Sequence, residues 1–515
     1  SLPKSGLADR MGAKRDSYAE GLALAAANRH AEAIERYEAA LAEQPGDIRV
    51  LFALGNTASA LGMAQPAATF FREVLAQDPE RVEALVNLAN LLRAGGQFGE
   101  AEAILAPALA RNPRSPELWL TLGSVYRELG DAPRAAEHYR EALALRPDYP
   151  AALGNLADII ADDGDIPEAF QLYESVLALE PHNAQAKLNR AVLHLLIGNL
   201  HEGWRDYAAR LDIPGKAPKA ALNLPRWRGE TMRELRLLVR AEQGIGDQIM
   251  FASCLPELVA RAEREGGRVL LECERRLVKL FARSFPGALV KPSRIETRAG
   301  IATAHYDWLD AEGGADAVIE IGSLPRLMRG DIARFPMSHH YLVPDEGETA
   351  RWRDTFRGTG FGPFVGVCWR SGLTGGARAT QYGPLAMWAE FLHSFPGTAV
   401  SVQYDATREE IHALETLSGR TIVVPQDLDQ KNEIDRTTAM FAALDAVVSA
   451  PTAVSWLAAA AGVPTAKILY DTSWTSFGQT YEPFAPACAL MMPERRGDWS
   501  TAFAKASRWL SRLSK

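Results

Sequence analysis

Three short stretches in the second half of the chain hold residues whose types and spacing could do chemistry. The first is Arg240-Ala241-Glu242-Gln243-Gly244-Ile245-Gly246-Asp247. Gly244 and Gly246 let backbone approach a ligand closely. Asp247, at the start of a helix, could take a proton from a hydroxyl group as a general base. Gln243, Gly244 and Gly246 would line the cleft. The same letters also suit a tight turn with an aspartate helix cap. The second stretch is Trp369-Arg370-Ser371-Gly372-Leu373-Thr374-Gly375-Gly376-Ala377-Arg378. Small residues with free N–H groups beside Arg370 and Arg378 suit an anion, because the guanidinium fork matches phosphate oxygens. A surface loop of ordinary kind reads the same way. The third runs Ser449-Ala450-Pro451-Thr452-Ala453-Val454-Ser455-Trp456. A helix start there would offer unpaired N–H groups and its dipole to an anion, with Ser449, Thr452 and Ala453 nearest. Ser449 or Thr452 could equally serve only as the helix cap.

Each stretch must follow a strand to be useful, and each does. Strands are expected at Leu235–Val239, Arg268–Leu271, Ala317–Ile321, Phe364–Trp369, Ala399–Gln403, Thr421–Val424, Ala446–Ser449 and Ala466–Leu469. Helices are expected at Asp247–Arg264, Arg275–Ser284, Leu385–Phe395, Thr407–Ser418, Ile434–Leu444 and Thr452–Ala461. Short strands alternating with helices imply parallel sheets with crossover helices. Two such doubly wound α/β domains are expected, residues 233–345 and 346–515, facing one another across a cleft. Ligands then sit at the carboxyl ends of the strands.

The front of the chain is organised differently. Pro45, Pro79, Pro113, Pro147 and Pro181 fall 34 residues apart. That period is one tetratricopeptide helix–turn–helix unit. The fourth unit shows it most fully, with Trp119, Leu122, Gly123, Tyr126, Ala135, Tyr139, Ala142 and Pro147. An all-α solenoid over residues 1–210 is expected, with five full repeats and a degenerate sixth. That sixth carries a heavier, more polar tail, Trp204-Arg205-Asp206-Tyr207. Residues 211–232, with Asp212-Ile213-Pro214-Gly215-Lys216-Ala217-Pro218-Lys219, read as a linker or crossing segment. Solenoids of this kind hold partners along a concave face. Asn56, Asn87, Asn90, Asn155 and Asn189 fall on the groove side of the first helices. Amides there can donate to and accept from an extended peptide. They could also simply solvate an open face.

Composition narrows the classes. A chain of 515 residues with net charge −8 has no general attraction to nucleic acid or anionic lipid. No apolar stretch reaches the roughly 18 residues of a membrane span. No apolar core follows Ser1-Leu2-Pro3-Lys4, so a signal peptide is not expected there. Cys254, Cys273, Cys368 and Cys488 lack metal-site spacing and fit a reducing, cytoplasmic setting. The ten His are scattered. There is no P-loop, zinc-protease helix or nucleophile elbow, and no metal or cofactor is expected.

The second half resembles the bacterial heptosyltransferases, glycosyltransferases of the GT-B fold. The likeness rests on Leu237-Leu238-Val239-Arg240 with Gly246-Asp247, and on Leu457-Ala458-Ala459-Ala460-Ala461-Gly462-Val463-Pro464. It spans roughly residues 233 to 482. Where that family shows Asp-Ser/Thr-Gly and a His, this chain has Pro451-Thr452-Ala453 and Trp456. The fusion to repeats is similar to protein-modifying transferases, including bacterial flagellin O-glycosyltransferases that use nonulosonic acids such as pseudaminic acid. The resemblance implies a metal-independent transferase that moves a sugar from a nucleotide-activated donor to Ser or Thr of a protein such as flagellin. A CMP-linked donor is favoured over diphosphate-linked ones. Asp247 would be the base, and Arg370, Ser371, Gly372, Arg378, Ser449, Thr452 and Ala453 would hold the donor. Transfer to a lipid-linked glycan or lipopolysaccharide, and a repeat scaffold with an inactive transferase module, are the alternatives.

Overall fold

The computed structural model describes residues 16–298, 300–336, 340–372 and 381–513. The chain divides into two compact units, Ser1–Ala186 and Lys187–Lys515.

Among the described residues the first unit holds ten helices in five antiparallel pairs: α1 (Ser17–Ala26), α2 (His30–Glu43), α3 (Ile48–Ala60), α4 (Ala64–Gln77), α5 (Val82–Ala94), α6 (Phe98–Arg111), α7 (Pro116–Glu128), α8 (Ala132–Leu145), α9 (Pro150–Asp162) and α10 (Ile166–Leu179). The pairs close because a small residue on one helix admits a ring from the next. A Cβ added at Gly55 or Gly123 would lie 2.7 Å from the Phe71 ring or 2.9 Å from the Tyr139 ring, and Gly21 is tighter still against Tyr37. All three rings are buried. Each second helix ends just ahead of a repeat proline, which has no N–H to continue it. The turn inside each of these five pairs, and inside a sixth that follows, uses a left-handed residue: Asn28, Gly62, Gly96, Gly130, Gly164 and Gly198, with φ from 58° to 89°. These also recur every 34 residues. Only glycine, or more rarely asparagine, adopts that conformation cheaply.

The boundary falls in the first turn of α11 (Ala184–Leu196), which forms the sixth pair with α12 (Leu200–Tyr207), and a 3₁₀ turn, Ala208–Asp212, follows. Then come β1 (Lys219–Ala220), β2 (Arg236–Arg240), α13 (Ile245–Phe251), α14 (Leu255–Glu265), β3 (Arg268–Cys273), α15 (Val278–Ser284), β4 (Ala288–Pro292), β5 (Arg294–Arg298), β6 (Ile301–His305), α16 (Trp308–Ala311), β7 (Ala317–Glu320), α17 (Leu324–Met328) and α18 (Glu346–Arg357). The remainder is β8 (Phe364–Cys368), α19 (Leu385–Ser394), β9 (Thr398–Ser401), α20 (Arg408–Ser418), β10 (Ile422–Val423), α21 (Ile434–Phe441), β11 (Ala446–Ser449), α22 (Ala453–Ala460), β12 (Thr465–Ile468), β13 (Cys488–Met491) and α23 (Trp499–Leu513).

Two parallel sheets result. One has the order β4-β3-β2-β7 and the other β10-β9-β8-β11-β12-β13. Leu237, Leu238 and Val239 in the first, and Val365, Val367, Val447 and Val448 in the second, are wholly buried, as sheets covered on both faces require. In each sheet the strand order reverses beside its first strand, between β2 and β7 and between β8 and β11. Ligands of doubly wound sheets bind outside such switch points. The two sheet domains are tied by Arg276, whose Nη1 donates to the Lys431 carbonyl at 2.9 Å, and by an Arg283–Asp435 ion pair.

One expectation needs correction, and two features go beyond the sequence reading. The helix expected over 247–264 is two, α13 and α14, with a 3₁₀ turn between them. Pro256 stands at the start of α14, where its missing N–H is harmless but where an unbroken helix would need one. The expected linker is partly built in. Trp227 is buried, its backbone N–H donates to the Val318 carbonyl at 2.9 Å, and the Val318 N–H donates to the Pro225 carbonyl at 3.0 Å. A small sheet, β1-β6-β5, was not expected, and its hairpin reads Arg-Ile-Glu-Thr-Arg on an exposed strand.

Candidate functional site

The turn after β2 places Asp247 third in α13, with Gly244 at the cap position. Asp247 is therefore not the cap. Its partly buried carboxylate lies in the first turn, where the helix dipole favours negative charge. A Cβ at Gly244 would sit 3.4 Å from Asp247 Oδ2, so glycine leaves that side open. Gln248 clamps the turn from below. Its Nε2 donates to the Gln243 carbonyl at 2.9 Å, and its Oε1 accepts from the Glu274 N–H at 2.8 Å.

Asp247 lines a cavity of about 290 Å³ with Gln243, Asn189, Tyr207, Lys216 and Trp474. A buried polar network forms its wall. Arg210 donates to Glu242 Oε1 through Nη2 at 2.8 Å and Nε at 3.3 Å, and to Ser323 Oγ at 2.9 Å. Gln243 Nε2 donates to the same carboxylate oxygen at 3.0 Å, and Tyr207 donates to Gln243 Oε1 at 3.0 Å. Burial pushes the Tyr207 phenol well above its usual range. Arg210 opposes the shift and Asp247 adds to it, and the hydroxyl stays a donor at neutral pH. Tyr207 and Arg210 were not among the expected site residues. The polar tail Trp204-Arg205-Asp206-Tyr207 was the available signal.

The other side of the same helical turn faces the second sheet. A Cβ at Gly246 would meet Ala453 at 3.7 Å and Trp456 at 3.9 Å, so the Gly-Asp turn abuts the start of α22. Here a cavity of about 220 Å³ opens, lined by Ile245, Tyr404, Gln430, Lys431, Thr437 and Ala453. Thus loops after β2, β9, β10 and β11 converge around α13. Gln430 Oε1 is buried with no hydrogen-bond partner. Tyr404, Gln430 and Lys431 follow strands β9 and β10, and that position alone could have pointed to them.

The expected anion-holding residues fare unevenly. Arg370 is fully engaged: Nε and Nη2 donate to Glu410 at 2.5 and 2.7 Å, Nη1 to Asp405 at 3.0 Å and to Ser371 O at 3.2 Å, and Nη2 to Asp405 O at 3.1 Å. All five donors of the guanidinium have acceptors within the chain. The Glu410 hydrogen bond, against the effect of burial, raises the Arg370 pKa further. Arg370 is a brace between β8 and α20, not an exposed phosphate ligand. Ser449 is wholly buried and donates to Ala450 O at 2.7 Å. Thr452 caps α22, accepting from the Val454 N–H at 3.2 Å. Gly372 is exposed, and its N–H donates to Tyr404 Oη at 2.6 Å, beside partly buried Ser371. Arg378 lies outside the described residues. In the repeats, Asn87 Nδ2 donates to Asn56 Oδ1 at 2.9 Å, and Asn90 and Asn155 line a cavity of about 450 Å³ with Arg93, Glu117, Arg127 and Tyr149.

Among the described residues no group of three His, Cys, Asp or Glu is placed to hold a metal ion. Nor is any helix there long and apolar enough to cross a membrane.

Comparison with known proteins finds the tetratricopeptide repeat family matching residues 18–85, 86–150, 120–182 and 155–221. The N-terminal part is a solenoid of these repeats. Protein FlbA of Caulobacter vibrioides is 33% identical over 315 residues, covering 61% of this chain and 52% of FlbA. The alignment thus spans about half the length of that curated relative. Among solved structures, a thermophilic TPR protein from Thermus thermophilus is 28% identical over 35% of this chain and 97% of its own, with a TM-score of 0.31. PilF of Pseudomonas aeruginosa is 20% identical over 38% of this chain and 88% of its own, with a TM-score of 0.33.

Proposed function

We propose that the chain is a protein O-glycosyltransferase. Its two parallel-sheet domains act as a GT-B module and its repeats hold the protein acceptor. The observation that carries this proposal is the first turn of α13, which stands between two cavities at the switch points of two doubly wound sheets. The acceptor hydroxyl of Ser or Thr enters the Asp247 cavity and gives its proton to that carboxylate. The sugar nucleotide lies across Ala453, Tyr404, Gln430 and Lys431. Asn189 lines the Asp247 cavity, and Asn87 and Asn155 occupy the same repeat position in the first unit. Asn189 would bind the acceptor backbone there, and the repeat asparagines would serve the same purpose within the first unit. The sequence resemblance to repeat-fused transferases makes flagellin the acceptor to test first.

The charge of the second cavity favours a CMP-linked nonulosonic acid. Among the described residues lining it, Lys431 is a cation without an ion pair, whereas Arg276 is paired with Glu274 at 2.8 Å. A lysine there suits the negative charge of a phosphodiester. The four cysteines are free and buried, in keeping with action in the cytoplasm.

Thermal unfolding with CMP, UDP, GDP and ADP tests the donor assignment, since a ligand bound only by the folded state raises the melting temperature. CMP should give the largest rise. A larger response to a diphosphate would move the donor to a hexose or heptose, and silence from folded protein would remove the donor site.

A further inference from the structure

A further cavity, of about 380 Å³, lies on the far side of Arg210 from the Asp247 cavity, and Arg210 lines both. Its position is the carboxyl end of β7, where Val318, Ile319, Gly322 and Ser323 line it. That is the ligand-binding edge of a doubly wound sheet, and the volume falls in the range of small-molecule sites. Four arginines reach it: Arg210, Arg226, Arg228 and Arg326. Two are neutralised. Arg210 pairs with Glu242 at 2.8 Å and Arg226 with Glu320 at 2.8 Å. The other two come from separate elements, Arg228 from the crossing segment and Arg326 from α17. Among the described residues neither makes an ion pair or a side-chain hydrogen bond. The nearest carboxylate in sequence, Glu230, accepts from the Arg228 backbone N–H at 2.6 Å and is attracted by its guanidinium without forming an ion pair, and it does not line the cavity. Trp204 and Trp227, both nearly buried, add aromatic surface.

Two unpaired guanidinium groups over aromatic walls do not suit an apolar guest. They suit an oxyanion carried on a compact molecule, because arginine engages carboxylate and phosphate with two parallel N–H donors. We propose that this cavity binds a small molecule through its phosphate or carboxylate, held by Arg228 and Arg326 against Trp204 and Trp227, at a site separate from both cavities flanking α13.

The test uses the full chain at constant ionic strength, with inorganic phosphate, glucose 6-phosphate, citrate and a hexaglutamate peptide titrated at low millimolar concentration by calorimetry. Sugar phosphate or citrate should bind saturably, and Arg228→Gln/Arg326→Gln should weaken the apparent affinity at least tenfold. Asp247→Asn should leave it unchanged. Both arginines are exposed and unpaired, so the double variant should melt within a few degrees of the parent; the single variants, each weakening binding severalfold, serve if it does not. A response to phosphate and sugar phosphate alone assigns the oxyanion to phosphate, and one to citrate alone assigns it to carboxylate. The proposal fails if no small anion binds, if the double variant binds equally, or if only the acidic peptide binds.

Discussion

Replacing Arg210 by Met should unfold the second unit more readily than any other single change near Asp247. The Arg210 side chain is 6% exposed and that of Glu242 is 1% exposed. Glu242 Oε1 accepts from Arg210 twice and from Gln243 once, while Oε2 is buried with no partner. Without Arg210 one neutral amide would face a buried negative charge. Breaking a buried pair from one side costs about 3–5 kcal/mol. In a unit this size each kcal/mol moves the melting temperature by roughly 2–4 °C, so a fall on the order of 10 °C is expected. The pair's own net worth is a separate quantity, because its desolvation offsets its attraction. Arg210→Met/Glu242→Met should therefore recover most of the loss. The assay is a double-mutant cycle by thermal and guanidinium unfolding, followed through the second unit. A single-variant loss below about 1 kcal/mol, or a double variant as unstable as the single, would refute the claim that the charge is truly buried and coupled. Transfer should also slow in Arg210→Met at temperatures where it stays folded, since Glu242, which positions Gln243, loses the guanidinium that holds it.

Other consequences follow from the same geometry. Gly246→Ala adds a methyl at ordinary contact distance from Ala453 and Trp456, so stability should change by less than about 1 kcal/mol; Gly246→Leu should separate α13 from α22, and loss of activity with the fold retained would be read by transfer assay and circular dichroism. Glu272 is pushed up to about 7 by burial, against the Tyr306 hydrogen bond at 2.9 Å. The folded chain then holds a proton that the unfolded chain releases above about pH 4.5. Stability should fall by up to about 3 kcal/mol as pH rises from 4.5 to 7 and level off above, and Glu272→Gln should flatten that slope in pH-dependent denaturation. Arg370→Met should destabilise the second sheet domain by roughly 1–3 kcal/mol by unpairing Asp405 and Glu410, a loss measurable by denaturation without ligand.

The architecture was legible where a local rule repeats. Five prolines mark the solenoid's period, and the left-handed column from Asn28 to Gly198 obeys the same period. Strand ends were readable because buried parallel strands are short apolar runs, as at Leu237–Val239 and Val447–Val448. The hairpin β5–β6 was not, since its exposed strand is largely polar. Site residues failed where their partners are remote in sequence. Arg370 is claimed by Asp405 and Glu410, 35 and 40 residues on, and nothing near Arg370 announces that. Tyr207 and Gln243 meet across 36 residues, and only folding puts a repeat-cap phenol beside a strand-end loop.

The most direct measurement is intact mass of flagellin after incubation with a CMP-activated nonulosonic acid and either the parent chain or Asp247→Asn. The parent should add whole sugar masses, and the variant should slow transfer by at least about a hundredfold at an unchanged melting temperature. Equal modification by a folded Asp247→Asn would contradict the role given to that carboxylate. An unmodified acceptor with every activated sugar supplied would contradict transferase activity itself.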